Sequence, residues 1–176
     1  MDLARSSMED MVKKSSSFAF QSFTCFDDRG KLTNLTRETS NILKPKEIFY
    51  SISHVNVFRG FHYTLDPSNK KIVHLLYGSI IDYTICIDKS SETYGLVESH
   101  ILSKNSMNDS VYVAPLHAHG FYATEESCVA YITNYSHLES PDQSFNWKSI
   151  DYAWPFTTPI ESERDNLACK FDDIWS

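Results

Sequence analysis

The sequence predicts an all-β sandwich or jelly roll built as one domain. Apolar and aromatic residues fall in short runs at regular spacing, turn residues break those runs, and no strand–helix alternation of the kind that builds parallel sheets is present. The length of 176 residues suffices for a closed core, and a content of 41% hydrophobic and 14% aromatic residues is that of a globular chain rich in strand formers.

Residues 1–17, MDLARSSMEDMVKKSSS, read as a polar, serine-rich arm, a short helix or a loose segment, and the domain proper runs over 18–176. SFAFQSFTCF is strand-like, and DDRGK after it is a turn. RETSNILKPK holds a single helical turn before a strand begins near Ile48. In FRGFHYT, an extended strand would put Phe58, Gly60 and His62 on one face and Arg59, Phe61 and Tyr63 on the other. LDPSNKK is a loop. KIVHLLYGSIIDYTICID reads as a strand pair bent at Gly78, with Ile81, Tyr83, Ile85 and Ile87 alternating with Asp82, Thr84, Cys86 and Asp88. VYVAPLHAHGFYATEESCVAYITNY gives two further strands around a turn at TEES. After the turn SPDQS the tail is irregular and closes with a short helix that Ser162 caps.

Charge and cysteine usage narrow the function. A formal net charge of −7 argues against a nucleic-acid partner, since phosphate backbones call for a surplus of Lys and Arg, but leaves room for a small anion held by a few local cations. Cys25, Cys86, Cys128 and Cys169 form no CxxC pair and follow no secretory leader, so they read as reduced thiols of a cytoplasmic protein. No apolar run approaches the roughly 20 residues that span a bilayer, so no membrane partner is expected.

Three arrangements of chemistry compete. His117 and His119 in LHAHG stand two apart and project from one strand face, as metal-binding pairs do, but further ligands at suitable spacing are missing. A Ser or Cys nucleophile has no GxSxG elbow to present it. The third arrangement is a succession: DDRGK, VFRGFHYT, KKIVHLLYGSIIDYTICID, VAPLHAHGF, YITNY and WPFTTPIESERD, in that order and at compatible spacing.

That succession resembles the dTDP-4-dehydrorhamnose 3,5-epimerase family of metal-free cupins from about Phe18 to Cys169, and SHVNVFRG and SPDQSFNW look closer to its branch acting on nucleotide-linked 4-keto-6-deoxyheptoses in surface-polysaccharide pathways. The resemblance implies a cupin jelly-roll homodimer that needs no cofactor and no metal. Its substrate would be a nucleotide-diphospho-4-keto-6-deoxy sugar, inverted at C3, C5 or both. It makes His62 the base that removes an α-proton, Asp165 its acidic partner and Tyr131 the acid that reprotonates the opposite face. Lys71 would stand near the ketone oxygen and Arg59 near the diphosphate or sugar, while Arg29 would reach the nucleotide of a neighbouring subunit. His119, Tyr135 and Trp154 would line the pocket. The residue types suit this chemistry: histidine is mostly neutral at working pH, a nearby cation stabilises an enolate, and the arginine fork matches phosphate oxygens. Ile132 after Tyr131, where the family commonly has a lysine, is a departure, as is the lack of a glutamate just after DDRG. A non-catalytic cupin that binds a sugar nucleotide or a partner enzyme is the alternative function, and a metal-dependent cupin oxygenase a more distant one.

Overall fold

The computed structural model describes residues 10–14 and 16–176. Twelve strands form its framework: β1 (Phe18–Phe20), β2 (Phe23–Asp27), β3 (Gly30–Asn34), β4 (Glu47–Ser53), β5 (Phe58–Tyr63), β6 (Lys71–Tyr77), β7 (Ser79–Cys86), β8 (Val97–Ser103), β9 (Ser110–Val113), β10 (His117–Ala123), β11 (Ser127–Thr133) and β12 (Gln143–Ser144). One sheet has the order β1-β9-β6-β11-β4, the other β12-β5-β10-β7-β8, and β2-β3 form a separate hairpin. All pairings within these sheets are antiparallel. Two antiparallel sheets with inner faces packed together are a β-sandwich of the jelly-roll kind, as the pattern of short strands predicts.

Between the sheets, Val73, Leu75, Val111 and Val129 of one layer meet Ile80, Leu102 and Phe121 of the other, nearly all of them fully buried. Each such aliphatic or aromatic side chain contributes about 1.5–3 kcal/mol relative to an exposed one. A second cluster lies outside the β5-containing sheet. There Phe58, Phe61, Tyr83, Ile85 and Ile87 are covered by Phe145, Trp147, Phe156, Phe171 and Ile174 of the C-terminal tail.

Two local expectations change. The run from Lys71 to Asp88 is not a strand pair: β6 and β7 enter different sheets. The turn falls at Gly78, φ +91°, where a Cβ would lie 2.2 Å from the Glu126 carbonyl oxygen, so only glycine allows the chain to cross between layers. The segment from Val111 to Tyr135 gives three strands instead of two, because Ala114 to Leu116 separate β9 from β10.

Strict alternation also fails in β5. Its register against β10 shifts between His119 and Phe121, and Gly60 has φ +130° with its ideal Cβ position 2.6 Å from Gly120 Cα. A bulge there moves the following residues to the opposite face. Phe58, Phe61 and Tyr63 therefore enter the outer aromatic cluster, while Arg59 and His62 both face the space between the sheets. Polar residues thus line part of the space between the sheets. Asp82 and Thr84 on β7 are also fully buried, with Ile81, Tyr83 and Ile85 belonging to the outer cluster. Of the N-terminal arm, residues 10–13 are helical, and residues 1–9 and 15 lie outside the described residues.

Candidate active site

The interlayer core ends at Phe121 and Tyr131, and beyond them a cavity of about 330 Å³ opens between the sheets. His62 lines it from β5. Its Nε2 lies 2.8 Å from Asp165 Oδ1, and the carboxylate is almost wholly buried. Asp165 sits in a helix of four residues, Glu163–Asn166, whose N-cap Ser162 accepts a hydrogen bond from the Asp165 backbone N–H. Burial pushes the Asp165 carboxyl up, but hydrogen bonds from His62, Ser162 and the Gly60 backbone N–H hold it below the usual carboxylate range. An ionised Asp165 accepting from Nε2–H leaves Nδ1 as the ring's acceptor, the tautomer a general base requires.

A second histidine–carboxylate pair stands beside the first. His119 on β10 is directly opposite His62 on β5, and its Nε2 is 2.6 Å from Asp82 Oδ2 on the neighbouring strand β7, with both side chains buried. Asp82 Oδ1 has no partner among the described atoms.

Lys71, at the start of β6, is buried and pairs with Asp142 Oδ2 at 3.2 Å. The same carboxylate accepts from Tyr135 Oη at 3.2 Å and lies 3.3 Å from His137 Nε2. Burial raises the Asp142 carboxyl, yet the charges of Lys71, His137 and His62 leave it lower than normal. Arg59 enters the cavity from β5 and donates to Ser53 Oγ and the Ile52 carbonyl. Arg164 closes the rim, donating to the Asp142 backbone carbonyl at 2.5 Å.

Tyr131 reaches the cavity from β11, stacked on Phe49 with ring centroids 4.8 Å apart and with Oη 3.3 Å from Ser51 Oγ. Its neighbours Ala130 and Ile132 point to the other side of the sheet; Ile132 belongs to the cluster around Phe18, Phe20 and Tyr112. Burial drives the Tyr131 phenol far above its ordinary pKa, with Arg59 pulling the other way. The phenol is therefore protonated at neutral pH, and the Arg59 guanidinium favours its phenolate against that burial.

Of the residues expected at the site, His62, Lys71, Arg59, His119 and Tyr131 line this cavity, and Asp165 stands behind His62. Three others do not line it. Trp154 packs among Phe58, Phe61, Tyr83, Trp147 and Phe156, because the tail that carries it covers the outer face of the sheet. Tyr135 lies past the end of β11 and stands behind Asp142. Arg29 is exposed at the tip of the β2–β3 hairpin, paired with Asp27. His117 Nδ1 donates to the Pro115 carbonyl at 3.0 Å, and among the described residues no group of three or more His, Cys, Asp and Glu could hold a metal ion. Sequence reasoning missed Asp142, His137 and Arg164. Asp142 sits in a stretch that reads as a turn, and only its buried lysine partner reveals it.

A jelly roll with a carboxylate-oriented histidine, a buried ammonium and a protonated tyrosine around one cavity is an acid–base enzyme scaffold, suited to moving protons at a carbon next to a carbonyl. The family model described as dTDP-4-dehydrorhamnose 3,5-epimerase matches residues 18–173, and the chain belongs to that family of carbohydrate epimerases. A dTDP-4-dehydrorhamnose 3,5-epimerase of Shigella flexneri is 32% identical over 128 residues, covering 70% of each chain. One of Mycobacterium tuberculosis is 29% identical over 143 residues, 75% of this chain and 68% of its own. Among solved structures, a Mycobacterium tuberculosis RmlC epimerase shares the fold with a TM-score of 0.81 at 24% identity, covering 90% of this chain and 86% of the other. ChmJ, a 3'-monoepimerase from Streptomyces bikiniensis solved with dTDP-quinovose, shares it with a TM-score of 0.76 at 22% identity, covering 89% and 84%.

Proposed function

We propose that the protein inverts one or both carbons flanking the ketone of a nucleotide-diphospho-4-keto-6-deoxy sugar, in deoxysugar biosynthesis and without metal or organic cofactor. The single observation that carries this reading is the His62–Asp165 pair on the wall of a cavity that also receives Lys71 and Tyr131. His62 takes the α-proton, and the C–H electron pair moves into the C–C bond as the carbonyl becomes an enolate. The Lys71 ammonium stabilises the enolate oxygen. Tyr131 then delivers its phenolic proton to the opposite face of the same carbon, the ketone reforms, and solvent returns the proton balance between imidazolium and phenolate. Arg59 and Arg164, both on the cavity wall, would take the substrate's anionic part. Arg29, on its projecting hairpin, fits a role at the nucleotide of a second copy in a homodimer.

Incubation with dTDP-, GDP- and CDP-linked 4-keto-6-deoxy sugars in D₂O tests the reading. Deuterium at C3 or C5 together with an inverted product is expected from at least one of them. Tight binding of a sugar nucleotide with no exchange would instead assign a non-catalytic binding role.

A further inference from the structure

His137 lies on the loop between β11 and β12, where each of its ring nitrogens faces a carboxylate. Nδ1 is 3.4 Å from Glu47 Oε1 on β4, and Nε2 is 3.3 Å from Asp142 Oδ2. Its backbone N–H also donates to Glu47 Oε2 at 2.8 Å. A neutral imidazole carries one N–H and one lone pair, so whichever tautomer forms, a lone pair is turned toward an anionic oxygen. Only the imidazolium donates to both.

Asp142 Oδ2, the oxygen that His137 approaches, is also the one paired with Lys71. With an imidazolium at 137, two cations meet the two carboxylates Glu47 and Asp142. With a neutral ring, Lys71 is left as the cation paired with Asp142, and its charge is spent within the protein. The remaining groups around His137 are the Tyr135 ring at 5.4 Å and the edge of Phe49 at 4.9 Å. Arg164 reaches only the Asp142 backbone, and Lys46 is taken by Glu139 on the same loop. We propose that His137 is a positioning residue that acts as an imidazolium strap: by engaging Glu47 and Asp142 together it leaves the Lys71 ammonium able to act on the substrate's ketone oxygen. This rests on the role given to Lys71 above.

The observations favour a charge role over plain packing. Aromatic packing alone would not require carboxylates at both ends of the ring, and the His137 backbone N–H fixes Glu47 beside it, holding that carboxyl below its ordinary range.

The test has two arms. In protein labelled with ¹³C at histidine Cε1, the resonance removed by His137→Gln should show imidazolium character that weakens in Glu47→Gln; a resonance indifferent to Glu47→Gln overturns the proposal, and this arm needs no substrate. In the second arm, His137→Gln should lower kcat for α-deuterium exchange on the order of tenfold, with KM much less affected, since an enolate stabiliser is weakened indirectly. His137→Arg supplies several donors and a fixed charge, and should restore most of that rate. Wild-type kcat in His137→Gln, or an arginine variant as impaired as the glutamine one, overturns it. Should no sugar nucleotide exchange with the wild-type protein, the epimerase reading fails by itself, and the resonance arm still decides the state of His137.

Discussion

Asp165 reaches His62 from 103 positions further along the chain, its Oδ1 2.8 Å from Nε2. The carboxylate comes from the C-terminal tail and the ring from a strand of the sheet that the tail covers. Replacing His62 with Ala should lower α-deuterium exchange by a factor on the order of 10² or more, as removal of a general base does. Asp165→Asn should lower it by less, because the ring stays and only its tautomer and imidazolium lose support. Single-turnover exchange measured by mass spectrometry checks both, with circular dichroism to establish folding.

Tyr131→Phe separates exchange from inversion. A base acting alone takes the proton and returns deuterium to the same face, so the variant should keep much of the exchange at the first carbon while losing most of the inverted product. NMR of the product sugar distinguishes the two. Normal inversion in the variant would remove Tyr131 from the mechanism.

Acid should destabilise the fold through two buried carboxylates. Asp142 and Asp165 both lie below their ordinary range in the folded protein, so the stability they contribute is fully present above the unfolded carboxylate value of about 3.9 and is lost as pH falls through their folded values. Urea midpoints should therefore hold from neutrality to about pH 5 and drop more steeply below about pH 4. Asp165→Asn should flatten that drop.

Arg29→Ala tests whether the hairpin serves a neighbouring subunit. The side chain is exposed and pairs only with Asp27 among the described residues, so its loss should leave the fold unchanged. Calorimetry with a nucleoside diphosphate should show weaker binding, and light scattering an intact dimer. A monomer with full activity would contradict the assignment.

The sheets, the β2–β3 turn and the capped terminal helix are legible in the sequence because each rests on local rules: short apolar runs, an Asp-Asp-Arg-Gly turn, a serine N-cap. The residues around the cavity are legible through the order of motifs. Position within the fold is less so. Alternation misplaces Arg59 relative to His62 because a bulge at Gly60 depends on Gly120, a contact between strands that lie far apart in sequence. The resemblance puts Trp154 in the pocket, yet whether an aromatic covers a sheet or lines a pocket is decided by which face the tail crosses. Asp142 has no local signature at all. Its meaning comes from Lys71, 71 positions earlier.

The tail that seals the outer aromatic cluster also brings Asp165 to the base. During synthesis, a nascent chain paired through β11 would already hold His62, Lys71 and Tyr131 in its sheets, but its histidine would have no orienting carboxylate until the segment beyond β12 had been made. The outer sheet face would stay greasy and uncovered for the same interval. Maturation of the catalyst and concealment of its stickiest surface are thus one event, so a truncated or stalled product should be inert and prone to chaperone capture together.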